Sequence, residues 1–153
     1  MRLIKHSRDR WHFQLNENEA GLLRDLLRHF PFGPAAPAQA SKSDDNSGAA
    51  DRQKLLQESL AEHRQELRKL ARQLLGGDQW KTSAGGPLLT LTSESREILL
   101  QILNDIRLGC WHALGEPDDL ETFGGSQFPP GHRTLMDLAG YFEMNLLGPD
   151  MLL

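Results

Sequence analysis

The sequence contains one cysteine, Cys110, in 153 residues, and no continuous apolar run long enough to cross a bilayer. A single cysteine cannot form a disulfide within the chain, and this favours a reducing, cytoplasmic location. The basic residues near the N-terminus are not followed by the apolar run of a secretory signal. These absences argue against a secreted, disulfide-stabilised protein and against a protein embedded in a membrane.

The sequence also lacks an excess of positive charge. Its formal net charge is −4, whereas a nucleic-acid-binding domain that relies on electrostatics needs a clustered positive face. The basic N-terminus and the acidic stretch after residue 115 are typical of solvated chain ends and loops. We therefore expect neither a nucleic acid nor a membrane as the partner.

Sequence signatures of catalysis are absent as well. The segment Gly124-Gly125-Ser126 could present backbone amides to an anion, but no strand precedes it and no lysine follows, so it is not a P-loop. Cys110 lies among apolar residues, where burial raises the pKa of a thiol, and His112 points to another side of the helix. We predict a buried, unreactive thiol and no cofactor.

The length of the chain fits one domain with a substantial core, and we predict a single domain over residues 1–153. Residues 31–50 are rich in Pro, Ala and Ser, and they cannot bury enough surface to offset the entropy lost on ordering. They are predicted to form a flexible loop, and residues 116–133 a long irregular loop. Residues 1–10 are assigned to a lead-in and residues 77–87 to a loop.

Hydrophobic periodicity predicts four helices and two strands. Residues 11–15 alternate apolar and polar, as a half-buried strand does, and residues 88–92 form a second short strand. Asn16, with Glu19 three residues later, has the pattern of a helix capping box. The predicted fold is mainly α, a four-helix orthogonal or bundle-like domain with a small two-stranded β ribbon made of the two strands. The helices are predicted at residues 16–30, 51–75, 93–115 and 135–147.

The second helix has apolar residues at alternating spacings of four and three, as in a coiled-coil seam. His63 falls within this seam, where a histidine is more often a satisfied core residue than a ligand. The seam spans fewer than three heptads, so packing inside one bundle is favoured, and a homodimer through the seam is the alternative. The seam consists of Leu56, Leu60, Leu67, Leu70 and Leu74.

The third helix is apolar on nearly every side and is therefore predicted to lie in the middle of the fold, surrounded by the others. Asn104, Asp105 and Arg107 form a polar insert in this apolar surround. Buried polar groups must be paired, so the insert is favoured as an internal clamp that hydrogen-bonds neighbouring segments. The alternative is a contact with a ligand or a partner.

A metal site is a further alternative. His112 and Glu116 are four residues apart, a spacing that puts two ligands on one face of a helix, and Asp118 and His132 follow. Gly115 is expected to end the helix before Glu116, and the cluster has neither the spacing of a calcium loop nor that of a zinc helix. The corresponding functional alternative is a metal-assisted enzyme that uses these four side chains.

Two short motifs resemble a family of small bacterial proteins of unknown function, best represented in actinobacteria and commonly encoded beside the adaptor of the Clp protease. The family's first helix begins with a Leu-x-x-x-Glu-x-x-Leu-Leu pattern, and a late helix carries Leu-Asn-Asp-Leu-Arg-Leu. The positions that match the first motif are Leu15, Glu19, Leu22 and Leu23. Those that match the second are Leu103, Asn104, Asp105, Arg107 and Leu108, with Ile106 in place of a leucine.

This resemblance implies a mainly helical fold in the bacterial cytoplasm and a link to protein turnover, but no known activity. Together with the absence of catalytic signatures, it leads us to expect a non-enzymatic interaction or regulatory protein. The expected partner is another protein.

Overall fold

The computed structural model describes residues 1–31, 48–118 and 130–151. Within these ranges the chain forms four helices and one four-stranded antiparallel sheet. The predicted loops at 31–50 and 116–133 fall mostly outside the described residues, although their last residues already belong to helices. The elements are β1 (Arg2–Ser7), β2 (Arg10–Gln14), α1 (Glu17–Arg28), α2 (Ala49–Gly76), β3 (Trp80–Ser83), β4 (Gly86–Thr92), α3 (Ser93–Ala113) and α4 (Pro130–Met151).

The sheet has the strand order β1-β2-β4-β3, and the prediction of a four-helix domain with only a two-stranded ribbon is therefore wrong. The two predicted strands do pair, with Trp11 opposite Leu91 and Phe13 opposite Leu89, but they form the middle of the sheet. Strands β1 and β3 form its edges, where the sequence suggested a lead-in and a loop. Nearly all side chains of β1 are exposed, so this strand is held by backbone hydrogen bonds and shows no apolar alternation.

The hairpin between β3 and β4 presses closely against the end of β2. Gly86 has a φ of +114°, and a Cβ at this position would lie 2.7 Å from the carbonyl oxygen of Leu15. The amide of Leu15 donates to the carbonyl of Pro87 at 3.0 Å, which extends the β2–β4 ladder by one residue. The close approach of these backbones requires a residue without a side chain at position 86.

Helix α1 begins with the capping box that the sequence predicts. The Asn16 side chain accepts from the amide of Glu19 at 2.7 Å, and the Glu19 side chain accepts from the amide of Asn16 at 3.1 Å. These reciprocal bonds satisfy two of the amides that a helix start leaves unpaired. The apolar face of α1 is buried through Ala20, Leu23, Leu26 and Leu27.

Helix α3 packs against α2, α4, β2 and β4, and its apolar stripe forms the centre of the core. Five of its side chains are completely buried. Leu108, by contrast, is 48% exposed, so one side of α3 faces outward and the helix is not enclosed on every side. The buried residues of α3 are Leu99, Ile102, Leu103, Ile106 and Cys110.

Helix α4 starts at Pro130 and continues through Gly148 and Pro149, so the predicted bounds of 135–147 are too short. Proline fits the first turn of a helix, where its missing N–H is not needed. Near the end, Pro149 cannot donate to the preceding turn. The guanidinium of Arg96 on α3 donates two hydrogen bonds, at 2.9 and 2.6 Å, to the carbonyl of Leu146, and these bonds attach the C-terminal part of α4 to α3.

Arg96 also connects α4 to the sheet. Its guanidinium carbon lies 4.0 Å from the ring centroid of Trp11, and the imidazole of His6 on β1 stacks on the same indole at 3.6 Å. The indole N–H donates to the hydroxyl of Ser93 at 3.3 Å. Strands β1 and β2 are thereby fixed to the start of α3 by one aromatic ring and its polar neighbours.

Candidate functional site

The polar insert of α3 contains one residue that acts as a clamp. Arg107 donates from Nη1 to Oε2 of Glu143 on α4, at 2.6 Å. Glu143 is only 9% exposed, and its second oxygen, Oε1, has no hydrogen-bond partner among the described residues. Gly140, one turn earlier on α4, leaves space beside the Arg107 side chain, since a Cβ there would lie 4.0 Å from Nε. The ion pair therefore ties α3 to α4 at a nearly buried carboxylate.

The other two residues of the insert do not take part in this clamp. Asn104 is exposed and Asp105 is half-buried. Within the part of the chain that the structure describes, neither side chain makes a hydrogen bond or an ion pair. The three insert residues thus do not form one site: Arg107 has a structural contact, while Asn104 and Asp105 remain available on the surface.

The sequence does not identify Glu143 as the partner of Arg107, although the position of Glu143 is unusual. Glu143 lies within the apolar stripe of α4 that also carries Ala139, Phe142 and Leu146. A carboxylate in such a stripe is rarely buried without a cation, because the loss of hydration is costly. Arg107 lies 36 residues earlier, in another helix, so helical spacing alone could not connect the two.

The four candidate metal ligands are only partly brought together. His112 Nδ1 lies 2.6 Å from Oε1 of Glu116, and both side chains are more than half exposed. Gly115, with φ +88°, ends α3 as predicted, and Glu116 itself adopts a left-handed φ of +57°. Asp118 is exposed, and His132 lies in the first turns of α4. The described residues contain no group of three or more potential ligands, so a metal site stays a prediction.

The thiol of Cys110 is fully buried in the core, as predicted. Burial raises its pKa to about 11, because the thiolate would lose its hydration there. We expect native protein at about pH 8 to react with a disulfide reagent at least about 100-fold more slowly than protein unfolded in urea. Labelling in the native state at the rate of the unfolded chain would contradict a sealed core around this thiol.

A polar cluster that the sequence did not reveal joins α1 to α4. The hydroxyl of Tyr141 donates to Oε2 of Glu19 at 2.6 Å, and the amine of Met1 contacts the same oxygen. Burial raises the pKa of Glu19, but the hydrogen bonds from the amine, from Tyr141 and from the Asn16 amide together outweigh this and lower it. The hydrogen bond to Glu19 in turn raises the pKa of Tyr141.

The lowered pKa of Glu19 makes its contribution to stability depend on pH. A carboxylate with a lower pKa in the folded state stabilises the fold above its unfolded pKa, and this contribution is lost as the pH falls through the folded value. We therefore expect Glu19→Gln to lower the free energy of unfolding at about pH 7, and this loss to become smaller as the pH is lowered to about 3. Urea unfolding at both pH values measures this, with the exposed neighbour Glu17→Gln as control. An equal loss at both pH values would contradict the linkage.

The predicted seam of α2 splits into two halves. Its last part packs in the core through Leu67, Leu70, Ala71 and Leu74. No residue from 49 to 66 is buried, and Leu55 and Leu60 are 65% and 39% exposed. His63 is exposed as well, and not the core histidine that the seam suggested. Packing inside one bundle therefore accounts for only the last third of the helix. We call residues 49–66 the α2 arm.

Comparison with known proteins adds no identification, since no protein family, curated protein or solved structure matches the chain. The resemblance to the bacterial family thus stays a prediction. Among the described residues, no helix combines the length and the apolar character needed to cross a membrane.

Proposed function

We propose that this protein is a non-enzymatic interaction or regulatory protein that binds a protein partner through the α2 arm. The observation that carries the proposal is the length of α2 compared with its burial. Of its 28 residues, only the last third contributes buried side chains, whereas the preceding 18 residues, the α2 arm, carry Leu55, Leu56 and Leu60.

Physical chemistry supports this use of the arm. Isolated helices of this length are marginal in water, and most helices in proteins are stabilised by the packing of an apolar face. The arm extends for about 27 Å, at 1.5 Å per residue, beside no other described element that buries it. An apolar face with a polar surround of Arg, Lys, Gln and Glu is typical of a helix that docks against a partner.

The resemblance described above supports a bacterial, cytoplasmic setting and a partner in protein turnover. We propose proteostasis as the cellular context on this basis. The motif residues Asn104 and Asp105, which have surface positions and no partner among the described residues, are available to contribute to such an interaction.

Affinity capture with a matched pair of variants tests the proposal. Leu60→Glu places a charge on the apolar face of the arm, and Gln65→Glu adds the same charge at an exposed position away from the seam. We expect a defined protein to be retained by the wild type and by Gln65→Glu, and to be lost from Leu60→Glu while its thermal unfolding is unchanged. If Leu60→Glu retains every protein that the wild type retains, the arm is not the docking surface.

A further inference from the structure

We infer that the α2 arm binds a second copy of this chain, with the two arms side by side and antiparallel. This inference rests on the proposed use of the arm as an interaction surface, and it names the partner. The sequence alone left a homodimer through the whole 56–74 seam as an alternative to packing within the chain. The structure removes Leu67, Leu70 and Leu74 from that surface, because their side chains are already buried in the core, and leaves the arm.

The seam positions within the arm are Gln53, Leu56, Leu60 and His63, at spacings of three, four and three. In an antiparallel pair, Leu56 faces Leu60 of the second copy, and Gln53 faces His63 of the second copy. Two leucine layers then lie at the centre of the contact and a polar layer lies at each end. The overlap ends just before Leu67, where each helix joins its own core.

Charge complementarity selects the second copy and the antiparallel direction. The residues that flank the seam on one side are Arg52, Ser59 and Glu66, and all three are exposed. In the antiparallel pair, this row of residues lies beside the same row of the second copy, with Ser59 opposite Ser59. Arg52 of each copy then lies opposite Glu66 of the other, so the contact contains two ion pairs. On the other flank of the seam, Arg64 of each copy lies opposite Ala50 of the other, so no like charges face each other.

A parallel pair would not use these charges. In that arrangement a residue on one flank of the seam lies opposite the residue five positions later on the other flank of the second copy. Arg52 would therefore meet Gln57, and Ser59 would meet Arg64. No ion pair forms, and the two copies of His63 would face each other in the seam. The charges along the arm are therefore complementary to those of a second arm that runs in the opposite direction.

Charge reversal in full-length protein tests this arrangement. Sedimentation equilibrium of the wild type, from about 1 to 200 micromolar, is expected to show a reversible monomer–dimer equilibrium, since the contact is short and contains only two leucine layers. Arg52→Glu and Glu66→Arg should each raise the dissociation constant by about tenfold, because each converts two attractive pairs into two repulsive ones. Both residues are exposed, so neither change is expected to affect folding.

The decisive result comes from combining the two changes. An equimolar mixture of Arg52→Glu protein and Glu66→Arg protein should form a heterodimer with about the wild-type affinity, because both of its ion pairs are attractive again. The chain that carries both changes should likewise recover self-association. A wild type that stays monomeric at all concentrations would overturn the inference. So would a dimer that is insensitive to either reversal, or one that the mixture does not restore.

The same measurements separate this inference from the proposed function. If the wild type is monomeric but Leu60→Glu loses a captured protein that Gln65→Glu retains, the arm docks a different partner and only the inference fails. If Leu60→Glu alters neither the association state nor capture, both fail. If Leu60→Glu abolishes the dimer and the charge reversals behave as expected, both stand.

Discussion

Gly86→Ala is expected to destabilise the fold by roughly 2–4 kcal/mol. Position 86 has a φ of +114°, which lies outside the conformations that an alanine adopts without strain, and the new Cβ would meet the carbonyl oxygen of Leu15 at 2.7 Å. That oxygen belongs to the backbone at the end of β2, so it cannot turn away as a flexible side chain would. Relief of the contact requires β2 and the β3–β4 hairpin to separate.

Gly85→Ala is the matched control for this change. A Cβ at position 85 would approach the Gln14 side chain at 3.2 Å, and that amide can move. Its expected cost is below about 1 kcal/mol. Urea unfolding followed by tryptophan fluorescence and by circular dichroism gives both values. Equal losses for the two alanine variants would show that the contact with Leu15 does not constrain position 86.

Arg107→Ala is expected to cost roughly 1–3 kcal/mol, and more than the removal of its partner. Glu143 is the nearly buried member of the pair, whereas Arg107 is 44% exposed. Without Arg107, a carboxylate with one oxygen already unpaired among the described residues is left inside the protein. Without Glu143, the guanidinium can turn towards water. Glu143→Leu should therefore cost less than Arg107→Ala, and the double variant should regain part of the stability lost by Arg107→Ala.

Asp105→Ala provides the control within the same polar insert. Its carboxylate makes no hydrogen bond among the described residues, so a change within about 0.5 kcal/mol is expected. Chemical denaturation of the four variants under one set of conditions measures the differences. If Arg107→Ala is as neutral as Asp105→Ala, the α3–α4 ion pair does not stabilise the fold, and Arg107 too would be available for a partner.

The sequence predicts those parts of the fold that bury a regular apolar pattern. The capping box of α1 and the alternation in residues 11–15 are each determined by local chemistry, and each has its predicted structure. Strands β1 and β3 are not predictable in this way. They are edge strands that depend on hydrogen bonds to a neighbour, and their side chains are mostly exposed.

The candidate site was predictable only in part, for a related reason. The insert stood out because Asn104, Asp105 and Arg107 interrupt an apolar helix, but which of them is paired depends on α4. Only the placement of Glu143 beside α3 assigns the clamp to Arg107. The α2 arm shows the same limit: the seam is continuous in the sequence, and only the packing of the second half reveals that the first half is uncovered.

The central pairing of β2 with β4 has a consequence for how the chain folds as it is synthesised. His12 and Thr90 are in contact across these strands although they lie 78 positions apart. The β1–β2 hairpin and α1 are made early, but the inner edge of β2 has no neighbour until β4 emerges. The apolar surface of Trp11 and Phe13 therefore stays uncovered while all of α2 is translated. We expect nascent chains that end before residue 92 to bind chaperones, and release to follow the emergence of β4 from the ribosome.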